Sequence, residues 1–297
     1  MSVDPGHQPV LIEEVLHALV PQLGQIFVDC TLGRGGHTAA IAPLLGPTGQ
    51  IISMDVDRAN QEFARERLAN SPCPIRFFHA NFAELPDVLA AAEVQHVDLI
   101  LADLGLSTNQ FLDERYGMSF DKSGPLDMRI DERLPHSAAD LIAKLPEEQL
   151  ANVLYELAQE RFSRRIARKI VAARRLSPIT TTGQLAELVR SVVPRRRNDK
   201  IDPATRTFLA LRMAVNREME NLDELLAKAP HCLRPGGRLA VISFQSMEDR
   251  RVKTAFRSAE QTGLLELLTR KPLCPTEAEL TGNPRSRSAK LRAAKKL

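Results

Sequence analysis

Short apolar runs alternate with amphipathic stretches through the first third of the chain. The apolar runs have the length and aliphatic composition of buried strands, and they lie at Ile26–Asp29, 50–54, 75–78 and 97–102. The stretches between them repeat their apolar positions at helical spacing, at 58–68 and 85–92. Alternation of this kind is typical of right-handed βαβ units. The pattern therefore predicts a parallel sheet covered by helices.

The alternation stops after the fourth predicted strand and resumes only near residue 208. From there the pattern predicts a helix over 208–228, a turn at 234–237 and a further buried strand at 238–243. The return of the same alternation indicates that the last part of the chain completes the sheet that the first part begins.

The predicted organisation is thus an α/β domain with a helical insertion. Residues 1–110 and 208–297 would form a doubly wound domain, and residues 111–207 would form the insertion. Ligands of such sheets bind at the carboxyl ends of the strands. An insertion that follows the fourth strand begins at that edge, so we expect it to shape the substrate site.

Charge divides the insertion into two halves. Residues 111–160 hold 5 Lys/Arg and 11 Asp/Glu, a net charge of −6, whereas residues 161–207 hold 13 Lys/Arg and 3 Asp/Glu, a net charge of +10. The basic half opens with a predicted amphipathic helix whose apolar face comprises Phe162, Ile166, Ile170 and Ala173. The basic positions beside this face and in the following loop are Arg161, Arg165, Arg168, Arg175, Arg195, Arg196, Arg197 and Lys200.

A basic helix face is in most proteins a solvated surface, and that interpretation stays open for this one. However, residues 285–297 add 6 basic groups and no acidic group, while the whole chain has a net charge of only +3. Two separate basic regions in a nearly neutral protein favour contact with a phosphate backbone. RNA or DNA is therefore a better partner for this charge than a membrane.

Composition and cysteine content narrow the class of protein. The 297 residues are 43% hydrophobic but only 4% aromatic, so aliphatic side chains must dominate the core of one large domain or two modest ones. The cysteines, Cys30, Cys73, Cys232 and Cys274, are scattered, which argues against a disulfide framework or a zinc site. The first residues lack the charged-then-apolar pattern of a secretion signal, so a cytoplasmic location is expected.

A glycine-rich segment follows the first predicted strand. Asp29 ends the strand, Gly33, Gly35 and Gly36 follow, and a predicted helix begins near Thr38. The glycines are typical of a cofactor loop, although they are equally compatible with a tight strand-to-helix turn. Thr38 occupies the third glycine position of the dinucleotide fingerprint, and the Asp29 carboxylate would repel a pyrophosphate. The segment therefore favours a cationic ligand such as S-adenosylmethionine over NAD.

Polar residues also follow the second and third predicted strands. Asp55 ends the second strand, 20 residues after Gly35, where a carboxylate can accept both hydroxyls of an adenosyl ribose. NAD and S-adenosylmethionine share that ribose, so this position does not separate them. Asp57 precedes a predicted helix and is expected to cap it. Phe82 follows the third strand, where its ring would pack either on adenine or within the core.

The fourth predicted strand delivers Asp103 to the same edge. Methyl transfer to an exocyclic amine requires an acceptor for the amine N–H groups, because the nitrogen lone pair is delocalised into the ring. The Asn/Asp-Pro-Pro-Tyr sequence that many amino methyltransferases use for this purpose is absent. Asp103, Asn109 and backbone carbonyls are the candidate acceptors.

Taken together, these motifs resemble the bacterial cytosine-N4 methyltransferases of small-subunit (16S) ribosomal RNA, the MraW type. The resemblance covers nearly the whole chain, in the same order and at compatible spacing. The matching segments are 7–11, 29–38, 103–110, 124–129, 206–212, 241–244, 248–250 and 283–291.

The resemblance implies a class I S-adenosylmethionine-dependent methyltransferase fold with an inserted helical domain for substrate recognition. It further implies S-adenosylmethionine as the methyl donor, without a metal, and a cytidine of the decoding region as the acceptor. The partner would be 16S rRNA, within the small ribosomal subunit, and neither DNA nor a membrane is expected. Asp103 is the expected catalytic residue. The expected cofactor-binding residues are Gly35, Gly36, His37, Asp55, Phe82, Asp103 and Gln110.

Two segments depart from the family pattern. The family loop Ser-Ser-Pro-Gln is Ser107-Thr108-Asn109-Gln110 here, so its proline is lost. Gln245 replaces the histidine of Ser-Phe-His-Ser, so a proton-transfer role does not carry over to position 245. Gln245 can still orient a base through hydrogen bonds. Two other classes of protein share parts of the pattern, an NAD-dependent oxidoreductase and a non-catalytic RNA-binding factor with a methyltransferase fold.

Overall fold

A computed structural model of the protein describes residues 9–121, 123–194 and 201–297. The predicted strands all form, most of them one residue longer than expected. The strands are β1 (Ile26–Asp29), β2 (Gln50–Asp55), β3 (Ile75–His79), β4 (Val97–Asp103), β5 (Leu233–Ser243), β6 (Leu265–Leu267) and β7 (Lys290–Lys296).

Helices occupy most of the chain between the strands. Asp57 caps α3 as expected, because its carboxylate accepts the N–H of Ala59 at 2.9 Å. In chain order the helices are α1 (Ile12–Leu19), α2 (Gly36–Leu45), α3 (Arg58–Arg67), α4 (Leu85–Ala91), α5 (Thr108–Leu112), α6 (Ala138–Lys144), α7 (Glu147–Ala158), α8 (Ser163–Arg174), α9 (Thr182–Arg190), α10 (Thr205–Val215), α11 (Glu218–Cys232), α12 (Ser246–Gln261) and α13 (Glu277–Gly282).

The strands form one twisted sheet in the order β3-β2-β1-β4-β5-β7-β6. Strands β1 to β5 pair in parallel, whereas β7 pairs antiparallel with both β5 and β6. The order reverses beside β1, because β2 and β4 flank it, and such a reversal opens a crevice at the carboxyl ends of the strands. The predicted fold class is confirmed. The sheet is mostly parallel and of the class I S-adenosylmethionine-dependent methyltransferase type, with a helical insertion.

Two details near the end of the chain differ from the prediction. Residues 234–237 form a bulge within β5 rather than a turn before it, because Val97 pairs with Leu233 and Leu99 pairs with Arg238. Gly236 accommodates this bulge at a φ of 83°. The sequence also predicts a final strand over 283–291, but Pro284–Ser288 form a short 3-10 helix there and β7 begins at Lys290.

Contacts divide the chain into two compact units. The sheet unit comprises residues up to Gly105 together with Met219–Leu297, and the helical unit comprises Leu106–Glu218. The boundaries predicted after residues 110 and 207 are therefore displaced. Residues 208–218 belong to the helical unit because Phe208 and Leu211 of α10 are buried in its core.

The predicted helix over 208–228 is also wrong as a single element. It breaks into α10 and α11 at Asn216 and Arg217, and Arg217 adopts a left-handed φ of 50°. The Asn216 amide donates to the carbonyl of Met128 at 2.7 Å, and its side-chain oxygen accepts the N–H of Ile130 at 2.9 Å. These bonds fix the end of α10 against the loop before α6.

The helical unit contains the predicted basic helix as α8. Its apolar face is buried as expected, with Ile166 and Ile170 inside the core and Phe162 and Ala173 packed against it. Arg161, Arg165, Arg168 and Arg175 are exposed beside that face. The predicted basic loop at 195–200 lies outside the described residues. Among the helices of the described ranges, none combines the length and the apolar content that crossing a membrane requires.

Gly117 is a position in the helical unit where a side chain is expected to be costly. Its φ is 61°, and a Cβ atom there would lie 2.1 Å from the carbonyl oxygen of Pro125. We expect Gly117→Ala to lower the free energy of unfolding by about 2 to 3 kcal/mol, from backbone strain and overpacking together. Denaturant titration would measure the change.

A matched control for this substitution is Gly282→Ala in α13. A Cβ atom at Gly282 would meet no described atom within 4 Å, and the residue has no left-handed φ. We expect its free energy of unfolding to stay within roughly 0.5 kcal/mol of wild type. Equal effects of the two substitutions would contradict the prediction for Gly117.

Candidate functional site

Three carboxylates end neighbouring strands at one edge of the sheet. Asp29 ends β1, Asp55 ends β2 on one side of it, and Asp103 ends β4 on the other side. The register pairs Asp29 with Ser53 and with Leu101, so the two flanking carboxylates each lie two residues beyond it. The predicted juxtaposition of acidic residues at the switch point of the sheet is therefore present.

The glycine-rich loop between β1 and α2 is tied to both flanking strands. The Gly33 N–H donates to Oδ2 of Asp55 at 2.7 Å, and the Asp103 N–H donates to Oγ1 of Thr31 at 2.6 Å. The loop closes on itself where the Gly35 N–H donates to the carbonyl of Leu32 at 2.8 Å. The loop therefore fixes the relative positions of the strand ends.

Gly35 and Gly36 serve this turn sterically. Gly35 has a φ of 75°, and a Cβ atom on it would lie 2.9 Å from Cδ1 of Leu68. A Cβ atom on Gly36 would lie 3.1 Å from Cβ of Pro9. The tight-turn interpretation thus accounts for both glycines, whether or not they also contact a ligand.

Asp29 differs from its predicted role. The sequence suggested that its carboxylate faces a cationic ligand, but the side chain is buried, with 1% exposure. Oδ2 accepts the Thr38 hydroxyl at 2.7 Å, and Oδ1 accepts the Thr31 N–H at 3.2 Å. Asp29 therefore stabilises the glycine-rich loop through these hydrogen bonds. It affects the neighbouring carboxyl groups through its negative charge.

Asp55 is a buried carboxyl group with unusual protonation. Burial raises its pKa from the usual value near 3.8 to about 7, although the N–H groups of Asp57 and Gly33 oppose the shift. The negative charges of Asp57 and Asp29 raise the pKa further. Each carboxylate oxygen accepts one backbone N–H, at 2.7 Å from Gly33 and 2.8 Å from Asp57. Each oxygen keeps a second lone pair, so the group can still accept ligand hydroxyls.

Asp103 has one carboxylate oxygen without a hydrogen-bond donor. Within the described part of the chain, Oδ1 is buried and has no such partner, while Oδ2 lies 3.8 Å from Nδ1 of His37. Burial raises the pKa of Asp103 to about 6, His37 opposes the shift, and the charges of Asp29 and Glu248 reinforce it. A buried acceptor that lacks a donor is costly, so it is a candidate contact for a ligand N–H group.

His37 connects this carboxyl group to the start of the chain. Its Nε2 lies 2.9 Å from the carbonyl oxygen of Val10, an acceptor-only group, so Nε2 carries the proton. The other ring nitrogen, Nδ1, faces the Asp103 carboxyl group. His37 is itself buried. His37 therefore lies beside Asp103 among the polar groups at the strand ends.

The raised pKa of Asp103 has a consequence for stability. An acid with a higher pKa in the folded than in the unfolded state binds more protons when folded, so its stabilisation is complete below about pH 4 and is lost as the pH rises through about 6. Asparagine has no charge to desolvate. We therefore expect Asp103→Asn to raise the melting temperature of the ligand-free protein, relative to wild type, by a few degrees more near pH 7.5 than near pH 4.5.

Differential scanning fluorimetry of both proteins across that pH range measures the effect. The difference between variant and wild type cancels the titration of groups that do not interact with Asp103. A difference that does not change with pH would mean that the pKa of Asp103 in the folded protein is ordinary.

The remaining predicted residues lie in different places. Phe82 begins a short 3-10 helix, Phe82–Glu84, directly after β3, and its ring is half-buried in the sheet unit. Gln110 belongs to the helical unit, where it is buried and its Oε1 accepts the Ser107 N–H at 3.0 Å. Gln245 is half-buried directly before α12, and its N–H donates to Oε2 of Glu248 at 2.9 Å.

Sequence reasoning missed the roles of Thr31 and Glu248. Thr31 bonds to the backbone of Asp103, and Glu248 is a buried acid that accepts the N–H groups of both Phe244 and Gln245 while raising the pKa of Asp103. The position of Glu248 three residues after Gln245, at the start of an amphipathic helix, is a signal of helix capping. Neither residue carries a signal that points to Asp103, because these contacts join distant segments.

Two other sequence motifs form ion pairs inside the helical unit. Arg129 contacts Asp127 at 2.7 Å, and the hydrogen bond from Arg129 lowers the pKa of Asp127. Arg212 contacts Glu218 at 2.7 Å, whereas Arg206 is exposed. These contacts give Asp127, Arg129 and Arg212 structural roles.

Comparison with known proteins extends over nearly the whole chain. The sequence profile described as the MraW methylase family matches residues 4–297. A ribosomal RNA small subunit methyltransferase H from Acidobacterium capsulatum is 46% identical over 297 residues, 98% of each chain. Proteins of the same name from Syntrophobacter fumaroxidans and Syntrophotalea carbinolica are 44% identical over 314 residues and 45% identical over 307 residues, respectively, and each alignment covers 98% or more of both chains.

Proposed function

Since this chain belongs to the MraW methylase family, we propose that it methylates 16S ribosomal RNA at N4 of a cytidine in the decoding region, with S-adenosylmethionine as the methyl donor. The observation that carries the proposal is the Asp103 carboxyl group, whose Oδ1 has no hydrogen-bond donor within the described part of the chain. An exocyclic amine offers the donor that this oxygen lacks. The names of the relatives support an RNA substrate of the small subunit.

The residues at the sheet edge fit S-adenosylmethionine. The ligand carries an ammonium and a sulfonium group, and three neighbouring carboxylates with raised pKa values favour added positive charge. A pyrophosphate would instead be repelled, and the Gly33 N–H that could bind it already donates to Asp55. These features favour S-adenosylmethionine over a dinucleotide.

Several residues of the sheet unit would hold the cofactor. Asp55 would accept the ribose hydroxyls, since each of its oxygens keeps a free lone pair. Gly35, Gly36 and His37 would form the wall beside the donor, and Phe82 would pack on the adenine. Gln110 of the helical unit is proposed as a further contact on the basis of the family motif alone.

Asp103 is the residue proposed to act on the cytosine amine. Its carboxylate would accept an N–H of the amino group, which orients the nitrogen and draws its lone pair out of conjugation with the ring. When bound, S-adenosylmethionine supplies an electrophilic methyl carbon on a sulfonium leaving group. The amine nitrogen becomes cationic as it gains the methyl group, and Asp103, with a pKa of about 6, would take the proton that it sheds.

Two features assist this role for Asp103. Its N–H is held by Thr31, which fixes the strand end, and Nδ1 of His37 lies 3.8 Å from Oδ2. The target cytidine must leave its stack to reach such a recessed carboxylate, as bases do in other enzymes that modify them. Alignment of the two reactants would supply much of the rate.

The test is incubation of the purified protein with methyl-labelled S-adenosylmethionine and immature 30S particles, followed by nucleoside analysis of the rRNA. We expect label in N4-methylcytidine. An absence of label in rRNA, while a known rRNA methyltransferase labels the same particles, would contradict the proposal. Binding of S-adenosylmethionine without turnover on any RNA would instead favour a non-catalytic RNA-binding factor.

A further inference from the structure

The corner between α7 and α8 contains a surface cavity of about 240 Å³. It lies wholly within the helical unit. Its polar and aromatic walls come from the exposed side of α7 and the start of α8. The residues that matter for the cavity are Asn152, Tyr155, Arg161, Phe162, Arg164 and Arg165.

The fold of this corner follows from its sequence. Helix α7 buries Leu150 and Leu154 and leaves Tyr155 on the opposite, exposed side. Gln159 ends α7 in a left-handed conformation, with a φ of 50°, and turns the chain toward α8. Glu160 is then buried, and its Oε1 accepts the Phe162 N–H at 2.8 Å, which fixes the entry to α8.

Three arginines concentrate positive charge at this corner. Arg161, Arg164 and Arg165 are exposed, and within the described residues none of them forms a salt bridge. Arg168, one turn further along α8, does form one, with Glu147 at 3.5 Å. The first turn of α8 contains no acidic residue, so these arginines add to the positive end of the helix dipole.

Acidic groups near the corner do not cancel this charge. Glu160 is 3% exposed and faces the backbone of α8, and Glu156 is exposed on α7 but does not line the cavity. The site therefore suits an anion.

Aromatic rings accompany the charge. The Tyr155 side chain is 59% exposed, and only Phe111 shares such exposure among the aromatic residues that the structure describes. On the other wall, the Arg165 guanidinium lies 5.6 Å from the centre of the Phe162 ring, which holds Phe162 and Arg165 together. Proteins that bind single-stranded nucleic acid combine exposed rings, on which bases stack, with basic groups that bind phosphates. The exposed Tyr155 ring beside arginines without a salt bridge is such a combination.

We propose that this cavity binds one unstacked nucleotide of the RNA substrate. The base stacks on Tyr155, and the adjoining phosphate is held by Arg161, Arg164 and Arg165. The volume is below the roughly 300–1,000 Å³ of pockets for drug-sized ligands, which suits part of a nucleotide rather than a whole cofactor. The inference rests on the proposed function for the choice of RNA as partner, and it adds a second contact that does not involve the carboxylate edge.

Fluorescence anisotropy with two labelled probes tests the assignment. One probe is a single-stranded oligouridylate, and the other is an abasic oligoribonucleotide of the same length. We expect Tyr155→Leu to weaken oligouridylate binding by about 5- to 100-fold, the range for removal of one base-stacking interaction. Its binding of the abasic probe should be unchanged. Tyr155→Phe keeps the ring and should restore the affinity for oligouridylate.

The arginines are tested on the same probes. The double substitution Arg161→Gln with Arg165→Gln should weaken binding of both probes. It should also reduce the magnitude of the slope of log affinity against log salt concentration by about 1 for each arginine that binds a phosphate in the wild type. Arg175→Gln is the matched control, because Arg175 is equally exposed at the other end of α8 and does not line the cavity. An effect of Arg175→Gln as large as that of the double substitution would overturn the assignment in favour of diffuse surface charge.

Methylation of 30S particles by the wild-type protein separates the two proposals. If the wild type methylates rRNA while the cavity variants bind both probes normally, the cavity assignment is wrong and the proposed function stands. If the variants lose RNA binding as expected but the wild type methylates no rRNA, the cavity assignment stands and the proposed function is wrong.

Discussion

Asp103→Asn is expected to lower kcat for RNA methylation by roughly 100- to 10,000-fold, the usual contribution of a positioned general base. Asparagine keeps an oxygen that can accept the amine N–H, but it cannot take up the proton that the methylated nitrogen sheds. The loss should persist at saturating concentrations of both substrates. Single-turnover kinetics with methyl-labelled S-adenosylmethionine would measure it.

The matched control is Asp98→Asn on the same strand. Asp98 lies near the opposite end of β4, where it accepts the Ile26 N–H at 2.8 Å and contacts Arg234 at 3.3 Å. We expect this variant to keep the wild-type kcat. An Asp103→Asn protein with undiminished kcat would rule out proton transfer through Asp103. If it also bound S-adenosylmethionine more weakly, Asp103 would serve only to hold the cofactor.

The parts of the structure that depend on local pattern could be predicted from the sequence. Buried strands are short apolar runs, and parallel strands align their carboxyl ends, so Asp55 and Asp103 were expected at one edge. The amphipathic helix at Phe162, Ile166 and Ile170 was equally visible, because its apolar face repeats at helical spacing. In each instance, the residues that determine the element lie within it.

The parts that depend on distant contacts could not be predicted. The break between α10 and α11 requires Asn216 to bond with Met128 and Ile130, residues more than 80 positions away along the chain. Similarly, Asp29 looks like a ligand-facing acid until Thr38 is seen to occupy one of its oxygens. The sequence therefore predicts where a strand-end acid lies in the sheet. Whether the acid can bind a ligand depends on which neighbouring groups already hydrogen-bond to its oxygens.

The raised pKa values also arise from the assembled site. Burial is the largest cause for both Asp55 and Asp103, and the charge of Asp29 on the strand between them raises both pKa values further. Desolvation of these carboxylates costs free energy in the ligand-free protein, and binding of the proposed ligand would reduce that cost. A bound cationic ligand would place a positive charge beside the carboxylates and favour their ionised form.

Asp55→Asn is expected to weaken binding of S-adenosylmethionine by roughly 10- to 150-fold, since one hydrogen bond to a charged group contributes about 1.5 to 3 kcal/mol. The carboxylate would accept both ribose hydroxyls, whereas an amide has only one accepting oxygen, which can take one backbone N–H of Gly33 or Asp57 and one hydroxyl, so the second hydroxyl loses its acceptor. Isothermal titration calorimetry near pH 8, where Asp55 is ionised, would measure the dissociation constant.

Asp57→Asn is the matched control, because it makes the same change two residues away. Asp57 accepts the Ala59 N–H at 2.9 Å as the cap of α3, and asparagine caps helices about as well as aspartate. We therefore expect this control to bind S-adenosylmethionine within about 3-fold of wild type, because its cap is kept. In the wild type, affinity should fall as the pH drops below about 7 and Asp55 becomes protonated, and this dependence should be weaker in Asp55→Asn. Equal affinities of the two variants, or an undiminished pH dependence in Asp55→Asn, would assign the ribose to another acceptor.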